Sequence, residues 1–365
     1  MFPSSPDFEF SLFIRLCHSN TTKLMSTSKQ LAESLKDTFD NIDVPARIER
    51  LRQGREQTGE SPIAREDHAQ SVNDYYDIAT DLAQWGWSQS LHFAPIKSGE
   101  STAQAIARHE DFMIERLQLD SSKRVVDVGC GIGGPMRRVA QQSGANVLLI
   151  NNNERQLDQA KKLNQAANVD HLAEYLHCNF MDMGCLEENS FDAAYAIEST
   201  CHAPDKIKAF EQIYRILKPG GLFWGQEFGL TDTYDENNPT HRSIVTEIVE
   251  TMALGEVFHL NQIAPGLAKA GFKIHECEDL ALKSDIPWYA PFKGGYERSL
   301  HSFRATPLQR SITLMKARLG EVFGAVPKGT VDLIKFLEEG ATALIRAGEL
   351  GIVTILCCFL VEKPR

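Results

Sequence analysis

The chain has no apolar run long enough to cross a bilayer, for which about 18 continuous apolar residues are needed. Its longest apolar stretch, Ile352–Val361, is stopped by Glu362-Lys363-Pro364 and reads as a buried β-branched strand. Basic charge is not in excess: 38 Lys and Arg face 49 Asp and Glu, a formal charge of −11. That argues against a surface built for nucleic acid, since no basic face could dominate without a strong local asymmetry. One cationic stretch, Arg47–Arg55, is interleaved with Glu49 and Gln53. It reads as a solvated helix face, with contact to anionic lipid headgroups as the sharper alternative. The eight cysteines (Cys17, Cys130, Cys178, Cys185, Cys201, Cys277, Cys357 and Cys358) form no C-x-x-C pair and no zinc spacing, so no metal site is predicted. Several lie in apolar runs, which suits reduced, buried thiols. Internal repeats and low-complexity tracts are missing. Phe8–Cys17 is flanked by Asp7 and Glu9 and makes a poor signal peptide.

With 365 residues, 42% of them apolar and 24% charged, the chain has the composition of a globular protein with one large domain or two small ones. Its most informative segment runs from Val125 to Gly134, V-V-D-V-G-C-G-I-G-G. A buried-strand pattern enters a glycine-rich turn, and such a turn before a helix is a nucleotide-type cofactor site. Gly129, Gly131 and Gly134 spell the dinucleotide fingerprint G-x-G-x-x-G. Gly129, Gly131 and Gly133 equally spell G-x-G-x-G. The next apolar strand, Val147–Ile150, ends in Asn151-Asn152-Asn153, where a dinucleotide enzyme wants an acid for the ribose.

Five strands alternate with helices beyond Arg124. The strands are expected at Arg124–Val128, Asn146–Ile150, Ala173–Cys178, Phe191–Ile197 and Leu222–Phe228. The helices are expected near Pro135–Ser143, Glu154–Ala167 and Pro204–Leu217, the last stopped by Lys218-Pro219-Gly220-Gly221. This is the pattern of an α/β fold with a doubly wound, mostly parallel sheet. Ligands of such sheets bind outside the carboxyl ends of the strands, a rim that gathers Gly129–Gly133, Asn151–Asn153, Asn179-Phe180 and Glu198–His202. Residues 1–30 read as a leader and 31–120 as a helical and aromatic cap, with one helix over Leu31–Glu56 broken at Gln57–Pro62. Residues 121–230 are the cofactor domain. Residues 231–365 form an extension that completes the sheet, with helices at Arg242–Leu254, Ile263–Ala270, Leu308–Phe323 and Val331–Arg346. Thr330 is expected to cap the last of these and Gly348 to end it. Pro287–Phe292 is expected as an aromatic loop.

From Asp67 to the C-terminus the chain resembles the sterol 24-C-methyltransferases. The resemblance rests on V-D-V-G-C-G-I-G-G-P at Val126–Pro135, N-N-N-E at Asn151–Glu154, Y-A-I-E-S-T-C-H-A-P at Tyr195–Pro204 and L-K-P-G-G at Leu217–Gly221. It is reinforced by Y-D-E-N-N-P at Tyr234–Pro239 and D-I-P-W-Y at Asp285–Tyr289. The glycine turn and L-K-P-G-G are common to many methyltransferases; N-N-N-E, I-E-S-T-C-H-A-P and I-P-W-Y are far more specific. The resemblance implies a class I, Rossmann-like methyltransferase fold and S-adenosyl-L-methionine as cofactor. It also implies transfer of the methyl to C24 of a sterol side-chain alkene. The cofactor set it implies is Asp127, Gly129, Cys130, Gly131 and Gly133 at the turn, Asn151 and Asn152 at the ribose, and Asn179 and Phe180 at the adenine. Asn179 stands where the family has an aspartate.

An alkene is a weak carbon nucleophile that must be aligned in a dry pocket. Methylation leaves a carbocation, which aromatic faces stabilise until a base removes a proton. The expected catalytic residues are Tyr76, Trp87, His92, Glu198 and His202. Tyr75, Trp85, Phe93, Glu227, Trp288 and Tyr289 are expected around the substrate, Glu227 also as a candidate base. The competing readings are core packing for the rings, a satisfied buried histidine for His92 and an ion pair for Glu198 or Glu227. Cys201 beside His202 raises a thiol nucleophile, for which no base-and-orienter arrangement is visible.

Two departures fall in the substrate half. The family's Y-E-Y-G-W-G-x-S-F-H-F has Gln84 in place of a carboxylate, Ser88 in place of a glycine and Leu91 in place of a ring. Near Glu250 the family's G-D-G-I-P is replaced by Thr251-Met252-Ala253-Leu254-Gly255. They leave two alternatives open: a methyltransferase of another triterpenoid or isoprenoid, and a non-catalytic lipid- and S-adenosylmethionine-binding paralogue. The implied partners are a sterol or triterpenoid small molecule and, with no spanning helix, a peripheral contact with the endoplasmic reticulum or a lipid droplet. A homo-oligomer is compatible with this reading, and no nucleic acid is expected.

Overall fold

The structure, a computed structural model, describes residues 29–56, 68–297 and 300–365. Most of the leader, the cap's break at Gln57–Pro62, and Cys17 lie outside the described residues. The cap opens with two helices rather than one, α1 over residues 29–41 and α2 at Val44–Glu56. Pro45 has no N–H to continue the first helix, and the Asp43 carboxylate accepts from the Ala46 N–H at 3.1 Å to start the second. The aromatic segment is mostly helix α3, His68–Gly86. Helix α4, Thr102–Arg116, is started by a capping box between Ser101 and Gln104.

The cationic stretch is not simply solvated. Arg47 pairs with Asp74 and, at 2.7 Å, with Asp77, while Arg50 reaches Asp74 at 2.8 Å and Arg52 reaches Glu339 at 3.4 Å. These guanidinium groups tie α2 to α3 and to the C-terminal helix instead of facing lipid.

The alternation then runs β1 (Arg124–Val128), α5 (Gly134–Ser143), β2 (Asn146–Asn151), α6 (Glu154–Ala166), β3 (Ala173–His177), β4 (Phe191–Ile197), α7 (Lys206–Ile216) and β5 (Leu217–Leu230). After it come α8 (Pro239–Thr251), β6 (Phe258–His259), α9 (Leu260–Lys269), β7 (Lys273–Asp279), α10 (Ala290–Lys293), α11 (Leu300–Ala305), α12 (Pro307–Phe323), α13 (Thr330–Leu350) and β8 (Val353–Glu362). The sheet order is β3-β2-β1-β4-β5-β8-β7, with β6 beside β5. The first five strands are parallel, and β8 runs antiparallel between β5 and β7. The expected mostly parallel, doubly wound α/β sheet is therefore present. Alternate residues of β1 and β2 enter opposite cores: Val125, Val147 and Leu149 one, Val126, Leu148 and Ile150 the other. Helices on both faces bury these strands from both sides.

Three local expectations change. Strand β5 begins at Leu217, so Lys218–Gly221 is not a free turn: Gly220 donates to the Lys363 carbonyl, and Lys363 donates back to Gly221. The C-terminus holds that segment in the sheet. Helix α13 is preceded by Gly329 in the left-handed region and ends at Gly351, not Gly348. Thr330 donates to the Pro327 carbonyl at 2.8 Å. A Cβ on Gly348 would lie 2.2 Å from the Tyr289 ring, so this glycine makes room for an aromatic. Pro287–Phe292 contains the short helix α10 rather than loop alone.

Candidate active site

The rim at the carboxyl ends of β1, β2 and β4 opens into a cleft of about 1000 Å³. Gly129, Gly131 and Gly133 all adopt positive φ, at 76°, 52° and 72°. They differ in what surrounds them. A Cβ on Gly131 would meet nothing within 4 Å, because this residue faces the cleft. Gly133 starts α5, donates to the Cys130 carbonyl at 2.9 Å and does not line the cleft. Gly134 does line it, and a Cβ there would strike the Gln89 carbonyl at 2.3 Å. The N–H groups of Gly129 and Cys130 are engaged by the Ile150 carbonyl. The N–H groups of Gly131 and Ile132 are not held by these carbonyls.

Asn151 and Asn152 line the cleft at the end of β2. The Asn151 amide donates to Gln156 at 2.9 Å. Asn153 caps α6 and donates to Asp77 on α3 at 2.7 Å. The N-N-N-E run thus locks the cap to the rim as well as lining the cleft. Asn179 and Phe180 form part of the same wall, with the Asn179 side-chain Oδ1 accepting from the Met181 N–H at 2.9 Å. Asp127 is buried, accepts from the Tyr195 hydroxyl at 2.9 Å, and is raised to about 7 by burial against that hydrogen bond.

A second cavity of about 1600 Å³ lies beside the first and is mostly apolar. Tyr75, Trp85, Trp87 and Phe93 line it, together with Phe292 and residues of α8, α12 and α13. Trp87 packs on Phe93 and Phe292 with ring centroids 4.7 and 5.2 Å apart, and its indole donates to the His92 carbonyl at 3.1 Å. Arg304 stacks on Trp85 at 4.2 Å. The indole Nε1 of Trp85 and the Nε of Arg304 are buried donors without partners among the described residues.

The two cavities meet at a neck. Tyr76, Leu91, His92, Glu198 and His202 line both. The His202 Nδ1–H donates to the Ala253 carbonyl at 2.9 Å, which leaves Nε2 to accept from the Tyr76 hydroxyl at 2.7 Å. Burial pulls the imidazole down to about 4, so it is a neutral base at physiological pH. Burial also holds the Tyr76 phenol well above its ordinary value. Glu198 sits at φ 52°, with one carboxylate oxygen accepting from the Phe93 N–H at 2.7 Å and from Gln226 at 2.6 Å. Burial raises this carboxyl to about 7. Burial depresses His92, but its contact with Glu110 at 3.2 Å and the charge of Glu198 more than offset this and raise it overall.

Residues not anticipated from sequence stand behind this neck. Gln226 links Glu198 to His109, whose Nε2–H donates to the Gln226 oxygen at 2.6 Å. Glu110 accepts from Ser90 at 2.7 Å. His68 donates to the His202 carbonyl at 2.7 Å. Buried polar groups on the otherwise apolar face of α4 were the available signal for His109 and Glu110.

Several expectations are corrected. Glu227 faces neither cavity: it is fully buried, pairs with Lys206 at 2.7 Å and accepts from Thr200. It neighbours Gln226 on β5, and successive strand residues point to opposite faces. Trp288 and Tyr289 stand behind the cavity wall, Trp288 edge-on to Phe93 at 5.8 Å and Tyr289 against Gly348. Cys201 is buried, donates to the Glu198 carbonyl at 3.0 Å and has its thiol pushed well up by burial. His202 is turned to Tyr76 instead, so no thiolate nucleophile forms.

The departures now have places. Gln84 accepts from Gln159 at 3.2 Å outside both cavities, so its change removes no carboxylate from the site. Ser88 accepts from the Ser90 N–H at 3.0 Å and has no positive φ. Leu91 does stand at the neck. Thr251, Met252 and Leu254 line the larger cavity, and Ala253 adopts φ 50°, where the family's glycine is free of strain.

The methyltransferase domain family matches residues 126–225, and the sterol methyltransferase C-terminal family matches residues 300–365. The chain is 39% identical to cycloartenol-C-24-methyltransferase of Arabidopsis thaliana over 335 residues, covering 92% of this chain and 99% of that one. It is 40% identical to cycloartenol-C-24-methyltransferase 1 of Oryza sativa, covering 84% and 88%. It is 38% identical to the sterol 24-C-methyltransferase of Saccharomyces cerevisiae, covering 82% and 80%. Among solved structures, the cyclopropane synthase MmaA2 of Mycobacterium tuberculosis shares the fold with a TM-score of 0.62 at 15% identity, covering 81% of this chain and 98% of that one. The [4+2]-cyclase SpnF does so at 0.59 and 22%, covering 81% and 96%. The chain belongs to the sterol 24-C-methyltransferase family and is a methyltransferase of the class I fold.

Proposed function

We propose that the protein methylates C24 of a sterol side-chain alkene, with S-adenosylmethionine held in the rim cleft and the sterol in the aromatic cavity. The observation that carries this reading is the neck, where a polar cleft and an apolar cavity share Tyr76, Leu91, His92, Glu198 and His202. The cleft fits a cationic donor. Gly131 leaves its wall open, and the buried carboxyls of Asp127 and Glu198, both raised to about 7, gain from a positive charge beside them. S-adenosylmethionine supplies an electrophilic methyl group.

The chain's own residues do the rest. Trp87, Phe93 and Phe292 form a ring-lined wall that excludes water and favours a carbocation on the acceptor. The neutral His202 imidazole, hydrogen-bonded to Tyr76, is the base that receives the acceptor's proton through the phenol oxygen. Gln226 and the Phe93 N–H fix the orientation of Glu198, whose charge stabilises positive charge at the neck. Trp85 lies nine residues beyond Tyr76 on α3, about 13 Å along the helix. The unpartnered donors of Trp85 and Arg304 suit an oxygen at the far end of an elongated acceptor. A non-sterol isoprenoid acceptor is the second reading, favoured by Leu91 in place of a ring and Met252 in place of a carboxylate. No helix among the described residues is long and apolar enough to cross a membrane. A hydrophobic acceptor supports a peripheral location on the endoplasmic reticulum or a lipid droplet.

The test is transfer of labelled methyl from S-adenosylmethionine to a panel of side-chain-unsaturated sterols and non-sterol isoprenoid alkenes. The proposal expects labelled product from the sterols. Label appearing only in the non-sterol alkenes assigns the second reading.

A further inference from the structure

Helix α12 carries an apolar face that nothing in the described structure covers. Leu308, Met315, Leu319, Val322 and Phe323 are 70%, 54%, 51%, 76% and 80% exposed. At roughly 100° per residue they fall within about 60° of one line along the helix. Phe303 on α11, 52% exposed, adds to the same region of sequence. A contiguous apolar surface of this kind on a soluble chain marks an interaction site. Two features say what it meets. Lys316 and Arg318 are exposed and lie at about 80° on either side of that line, and neither has an ion-pair partner among the described residues. Of the five basic side chains in residues 303–329, Lys316, Arg318 and Lys328 are exposed, against the single acidic Glu321, in a chain of net charge −11. An apolar stripe edged by cations is the pattern of a helix lying in a phospholipid headgroup region, where lysine and arginine reach the phosphates while the stripe enters the acyl boundary. The opposite side of the same helix pair supplies Arg304, Ala305, Arg310 and Thr313 to the wall of the apolar cavity.

We propose that the outer face of α12, flanked by Lys316 and Arg318, docks the enzyme on an anionic phospholipid surface and so brings the acceptor cavity to the lipid that supplies its substrate. The supply role rests on the lipid-acceptor reading above, whereas the docking itself does not. None of the five apolar residues, nor Lys316 or Arg318, lines either cavity. The surface can therefore be altered apart from the chemistry.

The experiment is flotation of the full-length protein with vesicles of phosphatidylcholine and phosphatidylserine, and with vesicles of phosphatidylcholine alone. It compares the native chain with Leu319→Asp/Phe323→Asp and with Lys316→Glu/Arg318→Glu. The native chain is expected to float with the anionic vesicles, and each double variant to lose at least about tenfold of that binding. Circular dichroism and methyl transfer to cyclodextrin-solubilised acceptor should stay unchanged, while transfer from acceptor held in the vesicles falls. Failure of the native chain to float, or equal flotation of the variants, overturns the proposal. So does a dimer in light scattering that Leu319→Asp/Phe323→Asp dissolves without loss of vesicle binding, since the face then belongs to a second copy. Loss of transfer even from solubilised acceptor by the native chain counts against the proposed reaction and not against docking.

Discussion

Replacing Tyr76 by Phe tests the proton path most sharply. The substitution deletes only the hydroxyl that donates to His202 Nε2 at 2.7 Å and keeps the ring at the neck. It leaves a buried nitrogen without its donor, which costs about 1–3 kcal/mol of stability. The catalytic effect is larger. A positioned base contributes roughly 10²–10⁴ in rate, and with its imidazole pulled down to about 4, His202 is fully available as that base at pH 7. The kcat for labelled methyl transfer should therefore fall by about 10²–10⁴, with cofactor affinity by calorimetry within about threefold. His202→Ala should cost a similar amount. Because the two groups act in one path, the double variant should be no slower than the slower single variant. The reasoning is refuted if Tyr76→Phe keeps its turnover within about twofold, or if the two losses multiply as for independent groups.

Other expectations follow from the same geometry. Asp127 and Glu198 are raised to about 7 in the folded protein by burial, above their ordinary carboxylate values. The folded state thus holds protons that the unfolded chain has released, and stability of the ligand-free protein falls as pH rises from about 4.5 through 7. The loss is on the order of 3 kcal/mol per group, read by denaturant unfolding; cofactor affinity should rise over the upper part of that window, and a flat profile for both removes the carboxyls from the site. Gly131→Val has space, since nothing lies within 4 Å of the new Cβ, but at φ 52° it carries about 1–3 kcal/mol of backbone strain. It should lose cofactor binding in calorimetry because the side chain fills the cleft, with Gly131→Ala, which bears the strain with less bulk, as the folded control. Retained affinity would place the donor elsewhere. Trp87→Ala should lower turnover more than cofactor affinity, and the reverse order would assign Trp87 to packing. Glu227→Gln breaks the fully buried pair with Lys206 and should cost about 3–5 kcal/mol in thermal unfolding, with kcat near native at permissive temperature; a selective loss of kcat would return Glu227 to the chemistry.

How far the sequence reached depends on the kind of signal. β1 and the glycine turn were legible because positive φ and close approach demand glycine there, and the structure has Gly129, Gly131 and Gly133 at positive φ. Sequence could not say which glycine faced the ligand. Gly133 turned out to be a helix start and Gly134 a packing contact, a difference set by Leu149, Ala160 and Gln89 from other elements. The four residues Tyr76, His92, Glu198 and His202 were legible as rim or aromatic-segment groups, and the structure brings them to one neck. Glu227 was misplaced because β5 is buried on both faces, so hydrophobic alternation does not reveal which side is which. One residue's parity sends Gln226 to the site and Glu227 to Lys206. Trp288 and Tyr289 belong to a specific motif, but they support the wall from behind through Phe93 and Gly348. The extended β5 depended on the paired C-terminal Lys363, a tertiary partner that local propensity does not contain, whereas the two-helix start of the cap was marked locally by Asp43 and Pro45.

The most direct measurement of the central claim is mass and positional analysis of the product formed by pure protein, methyl-labelled S-adenosylmethionine and a sterol with an unsaturated side chain. The account expects a sterol heavier by one methylene group, with the label on the side chain at C24 and an alkene restored. Label on a heteroatom, or tight binding of S-adenosylmethionine with no product from any alkene, would contradict it.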